Sequence, residues 1–142
     1  MPNASEFTVL VDQCQRFIDN RFQHDDAGAA AMMLGDGSIV IGTAPAAMNP
    51  AVELCHETEP LCAAYRRNTM VVASVCLHRD AVGRYLVLAP CGVCQERLAP
   101  HGPQVKVAVA GSSATDVQWQ KLEVLMPYYW ARAFPDTSGT WG

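Results

Sequence analysis

Between residues 5 and 22 the apolar side chains Phe7, Leu10, Val11, Cys14, Phe17 and Ile18 recur every three or four positions, the spacing of one buried helical face. This predicts an amphipathic helix with Cys14 on its inner stripe. Asp25-Asp26-Ala27-Gly28 breaks the pattern. GAAAMML and SIVIGT then flank Gly35-Asp36-Gly37, and the Asp-Gly turn predicts a β-hairpin. Asn49-Pro50 sets a capping residue before a proline at the first helical position, predicting a helix to about Asn68 with a kink or break at Pro60. MVVASVCLH is apolar on both alternating faces, as a strand covered on both sides is. YLVLA is a second such strand, and QVKVAVA, which alternates strictly, is a third strand. CQERL and KLEVLM read as short helices, the latter halted by Pro127, and an aromatic tail of Tyr128, Tyr129 and Trp130 follows.

The order helix, hairpin, helix, strand, strand, helix, strand, helix predicts an α/β fold, with a mixed sheet of about five strands covered by helices on both faces. With no repeat, low-complexity stretch or linker, residues 1–142 are expected to form one domain. Half of the residues are hydrophobic and 17% are charged, which argues against disorder. No apolar run approaches the roughly 18 residues of a membrane span, and the first residues carry no signal-peptide pattern. The expectation is a cytoplasmic protein with reduced thiols. A net charge of −4 weighs against polynucleotide substrates, which call for a basic surface, and favours a small-molecule partner.

Reduced surroundings change how the six cysteines are read: as ligands, nucleophiles or buried apolar residues rather than disulfides. Cys91 and Cys94 stand in Pro90-Cys91-Gly92-Val93-Cys94, where a turn entering a helix aims both sulfurs at one point. Redox dithiols and structural zinc ribbons share that spacing, but a structural zinc site wants a second close pair, which this chain lacks. A catalytic zinc site needs three protein ligands and keeps one position for water. Cys55 is the natural third ligand. Glu57, two residues on, can sit beside the metal without binding it, take a proton from water and deliver it to a leaving amine. His56 is the rival ligand, and Glu53 and Glu59 are rival acids without the two-residue offset. Cys14, Cys62 and Cys76 read as core residues.

Cys-x-Glu followed by Pro-Cys-x-x-Cys resembles the signature of the cytidine deaminase superfamily. GAAAMMLGDGSIVIGT is similar to the family's first hairpin, and LEVLMP with its aromatics to its C-terminal element. Three cysteine ligands and a short chain are most similar to the small tetrameric cytidine deaminases and to blasticidin S deaminase. The resemblance implies a three-layer α/β/α fold, Zn²⁺ held by Cys55, Cys91 and Cys94, and Glu57 as proton shuttle in removing the 4-amino group of a cytosine nucleoside or analogue. It implies a homo-oligomer, tetrameric as in the small relatives or else dimeric. It also implies that Ala89 offers its backbone to the exocyclic amine, and that Trp130 reaches the base across a subunit boundary.

The chain departs from its relatives at several positions. Their Asn-x-Glu pair, which holds the ribose hydroxyls, falls on Ala44 and Ala46. Their base-stacking Phe falls on Asp25, whose carboxylate could meet a cationic group on the substrate. Their charge-offsetting arginines fall on Thr58 and Gln95, with Arg97 nearby. The missing ribose pair and the added acid together point to an atypical, cationic cytosine nucleoside. The readings that compete with a deaminase are a non-catalytic zinc protein using the same fold for binding or assembly, a dithiol redox protein, and a nucleic-acid-editing deaminase.

Overall fold

The computed structural model describes residues 4–23, 26–134 and 141. Helix α1 spans Ala4–Arg21, strand β1 Ala27–Leu34 and strand β2 Ile39–Gly42. After a 3-10 turn at Pro50–Val52 come α2 (Thr58–Arg66), β3 (Val71–Arg79), β4 (Tyr85–Val87) and α3 (Gly92–Leu98). β5 (Lys106–Ala110), β6 (Val117–Lys121) and α4 (Leu122–Leu125) follow. The sheet has six strands in the order β2-β1-β3-β5-β6, with β4 paired to β3 off that path. β3 and β5 run parallel and the other pairs antiparallel.

Alternation along β1 distributes the two cores. Ala27, Ala29, Ala31 and Met33 face Phe7, Leu10, Cys14 and Ile18 of α1. Met32 and Leu34 join the opposite cluster with Leu61 and Ala64 of α2, Leu98 of α3 and Leu122 of α4. The result is the expected three layers, α1 on one side and α2, α3 and α4 on the other. The expected hairpin is present: Gly37 has φ +85°, and Asp36 Oδ1 accepts from Ser38 N at 2.9 Å.

Two expectations change. The sheet gains β6, whose residues are mostly half-buried and whose sequence VQWQK carries little apolar signal. Pairing with β5 from Lys106↔Lys121 to Ala110↔Val117 and stacking of Trp119 on Phe7 at 4.6 Å hold it. The helix expected from Asn49 divides: Asn49 Oδ1 caps only the short 3-10 turn through Ala51 N, and α2 begins at Thr58 with Pro60 buried in its first turn. There proline interrupts no backbone hydrogen bond. The chain between the two turns carries Cys55 and Glu57.

Candidate active site

Cys55 lies in the turn before α2, and Glu57 is that helix's N-cap, its carbonyl accepting from Leu61 N at 3.0 Å. A close approach of strand and helix fixes this end of α2: a Cβ on Gly42 would lie 2.5 Å from Glu59 Cβ, and Thr43 N donates to Glu59 Oε1 at 3.1 Å. Glu59 is therefore occupied in docking α2, which removes it as a rival acid. Cys91 is the N-cap of α3 and Cys94 sits buried in its first turn. Gln95 Nε2 donates to Pro90 O at 2.9 Å and steadies the turn. Arg97 donates from Nη1 to Thr58 Oγ1 at 2.8 Å, tying α3 to the start of α2.

These supports bring the Cys55, Cys91 and Cys94 sulfurs within 4.8 Å of one another, with Cys55 and Cys91 at 3.4 Å. Sulfurs about 2.3 Å from a tetrahedral zinc lie roughly 3.8 Å apart, so three soft donors stand where a thiolate-binding metal would need them. Their electrostatics differ. Burial pushes the Cys55 thiol up. Burial also raises Cys94, reinforced by the negative charge of Glu57. Burial acts in the same direction on Cys91, yet hydrogen bonds from the N–H groups of Cys94 and Val93, with the neighbouring thiols, outweigh it and hold that group below its ordinary value. Cys91 is thus the first of the three to become thiolate, and a bound cation would draw the others down after it.

A cavity of about 210 Å³ opens beside the thiols, lined by Cys55, Glu57, Cys76, Leu88, Ala89 and Cys91 among others. Glu57 is only 5% exposed. No side-chain hydrogen bond anchors it among the described residues, and none of their buried side-chain oxygens lacks a partner, so its carboxylate opens onto the cavity. Ala89 stands on the cavity wall. Cys76, expected in the core, is 5% exposed and also lines this floor, its thiol pushed well up by burial and by the Glu57 charge. Cys14 is buried within the α1 core, its thiol pushed up to about 12 by burial. Cys62 is exposed on α2.

A second cavity, of about 260 Å³, adjoins the first through His56, which lines both. Ala44, Ala46, Asp26, His78 and Thr43 form most of its other walls. β1 and β3 set Gly28, which also lines the cavity, beside His78, its register partner. Phe22 closes one side; its carbonyl accepts from Arg79 Nη2 at 3.0 Å, while Asp19 takes hydrogen bonds from both Tyr85 and Arg79. Asp25 lies outside the described residues. Trp130 is 62% exposed and lines a separate cavity with Tyr129, Trp141 and Glu96, donating from Nε1 to Glu96 Oε2 at 3.3 Å. Within one chain it does not meet the thiols. Sequence reasoning weighed His56 only as a ligand and passed over Thr43 and His78. Only the place of His56 between Cys55 and Glu57 signalled it.

No protein-family model matches the chain, and no curated protein matches it. Among solved structures it is similar to the cytidine deaminase from Bacillus anthracis, at 37% identity and a TM-score of 0.86, over 92% of this chain and 94% of that one. The cytidine deaminase from Mycobacterium leprae shares 24% identity at a TM-score of 0.63, over 85% of this chain and 97% of that one. That from Mycobacterium tuberculosis shares 22% at 0.65, over 87% and 96% respectively.

Proposed function

The chain belongs to the cytidine deaminase family, and from that premise we propose that it hydrolyses the 4-amino group of a cytosine nucleoside or nucleoside analogue, releasing ammonia. The observation that carries this reading is the buried Glu57 carboxylate opening onto the cavity that Cys55 and Cys91 also line. Cys55, Cys91 and Cys94 would hold a zinc ion, which supplies a Lewis acid that lowers the pKa of water to about 7.

Glu57 then does the proton work. Its carboxylate takes a proton from the attacking water and delivers it to the departing amine, so that ammonia rather than an amide ion leaves. Ala89 lies on the cavity wall, and its backbone would hold the exocyclic amine. The low exposure of Glu57 keeps bulk water from competing for that proton. A scaffold protein would have no use for an acid so placed.

The substrate is a cytosine nucleoside whose sugar place meets Ala44 and Ala46, side chains that form no hydrogen bonds. The protein acts as a homo-oligomer: Tyr128, Trp130 and Phe134 are 95%, 62% and 57% exposed, an apolar surface that a second copy would cover, and Trp130 contributes to a neighbour's base pocket from there. No described helix is long and apolar enough to cross a membrane.

Ammonia release from cytidine, deoxycytidine and blasticidin S by wild type and by Glu57→Gln tests the reading. Loss of about 10² to 10⁴ in rate with retained metal is expected for the variant. Equal rates would leave a zinc-binding scaffold as the better account.

A further inference from the structure

The second cavity contains polar atoms that the proposed reaction does not use. Thr43 Oγ1 lies 2.6 Å from Gly28 O and 3.4 Å from His56 Nδ1. A hydroxyl has one proton, and here it goes to the Gly28 carbonyl. Thr43 can therefore only accept from the imidazole, so Nδ1 carries the ring proton and Nε2 keeps its lone pair. Nε2 has no hydrogen-bond partner among the described residues. Since none of their buried side-chain nitrogens lacks a partner, Nε2 is open to the cavity. Gly28 makes room for this ring edge: a Cβ there would stand 2.7 Å from Nε2 and 2.9 Å from Leu77 O.

Across the cavity Asp26 presents a carboxylate, with Oδ1 at 3.3 Å from His78 Nε2. Asp26 has φ +59°, a left-handed conformation uncommon outside glycine and best tolerated by Asn and Asp. Among the described residues, the side chains of Ala44 and Ala46 offer only methyl groups, and no lysine or arginine lines the cavity. The side-chain atoms that His56 and Asp26 present to it, Nε2 and the carboxylate oxygens, are acceptors. Because His56 borders both cavities, a ring whose 4-position meets Glu57 would direct its N1 substituent into this one.

We propose that His56 and Asp26 are specificity-determining residues: they select cytosine compounds whose N1 substituent presents hydrogen-bond donors, either sugar hydroxyls or a protonated amino group. The assignment rests on the deaminase reading for the direction in which the substrate lies. An anionic substituent would meet the Asp26 carboxylate less favourably than a donor would.

Calorimetry with reaction-product analogues tests this without turnover, on the metal-loaded protein. Wild type is expected to bind uridine more tightly than 1-methyluracil. His56→Ala should shrink that ratio about five- to tenfold, the scale of one lost hydrogen bond, and His56→Gln, whose Oε1 can stand near the place of Nε2, should restore part of it. Asp26→Asn should weaken 3′-amino-3′-deoxyuridine more than uridine if the donor is cationic, and both equally if it is a hydroxyl. No preference in wild type, an unchanged uridine to 1-methyluracil ratio in His56→Ala, or unchanged binding of both sugar ligands in Asp26→Asn would each overturn the proposal. If His56→Ala does not fold, Asp26→Asn decides alone, its side chain being 71% exposed; unchanged binding of both sugar ligands would then overturn it. Failure of the deaminase reading looks different: no ammonia from cytidine, with the binding preference intact.

Discussion

The two adjoining cavities are built on opposite principles. The thiol cavity draws its chemistry from two short segments, Cys55–Glu57 and Cys91–Cys94, each at the start of a helix that packs on the same face of the sheet. Its geometry is local and over-determined: Gly42 against Glu59, Gln95 on Pro90, Arg97 on Thr58. The second cavity gathers residues from just after α1, from the start of β1, from the loop after β2, from the turn before α2 and from β3, with the methyl groups of Ala44 and Ala46 on its wall. On the proposed function, chemistry would be concentrated in the first cavity and selectivity left to the second, where a change of residue would alter which molecule fits without disturbing the proton path.

The largest effect that would test this division comes from Cys94→Ala. Cys94 is fully buried and one of three sulfurs within 4.8 Å, so its loss leaves two donors, too few to hold zinc in a catalytic site. Metal content by atomic absorption should fall below half of wild type, and activity by at least about 10³-fold. Retention of a full metal equivalent would show that the second cavity or His56 supplies a ligand, and the division between chemistry and selectivity would collapse.

Next in size is Gly28→Ala. The added methyl meets His56 Nε2 and the Leu77 carbonyl at under 3 Å, and the carbonyl belongs to β3 and cannot retreat. Overpacking of this kind costs about 1–3 kcal/mol. The expected result in urea unfolding is a lowered midpoint with an unchanged slope, alongside weakened nucleoside binding and near-normal metal content. An equal loss of metal would mean that the two cavities are mechanically one.

How legible each cavity was in the sequence follows from the same contrast. Cys-x-Glu and Pro-Cys-x-x-Cys could be read because helix starts turn sequence spacing into spatial spacing. Helix α1 and strand β5 were readable from apolar periodicity, β1 from the Asp-Gly turn that ends it, and β3 from a run apolar on both faces. β6 was not: its polar VQWQK is held by pairing with β5 and by Trp119 on Phe7, contacts that join distant positions. The beginning of α2 was misplaced because Asn49-Pro50 signals a helix start equally well for a single 3-10 turn. The second cavity depends on the register that sets Gly28 opposite His78 and on the hydroxyl of Thr43, none of which leaves a periodic trace.

A smaller effect, in the opposite direction, sharpens the comparison. Ala44→Asn with Ala46→Glu would place polar side chains on the methyl walls of the second cavity. The expected outcome is a gain of about tenfold in kcat/KM for cytidine relative to 1-methylcytosine, worth about 1.4 kcal/mol, with metal content unaltered. A fall in that ratio would show that the methyl walls already fit the natural substituent and that the added groups only obstruct it.

The smallest effect lies away from both cavities and separates stability from recognition. His101 Nδ1 accepts from Val71 N at 2.9 Å, where β3 begins, and burial lowers its pKa from the ordinary value. Protonated Nδ1 cannot accept, so the folded state disfavours the charged ring while the unfolded state titrates near pH 6.5, about the ordinary value. Between the two pKa values the unfolded chain binds more protons, and stability declines as pH falls. The contribution is complete above roughly pH 6.5 and is lost as pH drops through the folded value. His101→Asn keeps an acceptor near the place of Nδ1 but cannot titrate. Urea midpoints at pH 7.5 and 5.5 should therefore fall less in the variant than in wild type, the difference amounting to no more than about 1 kcal/mol, while the uridine to 1-methyluracil ratio stays the same in both. Parallel pH dependences would mean that the Val71 hydrogen bond adds nothing to the pH dependence of stability, and a changed ligand ratio would mean that the start of β3 reaches the second cavity through the length of the strand.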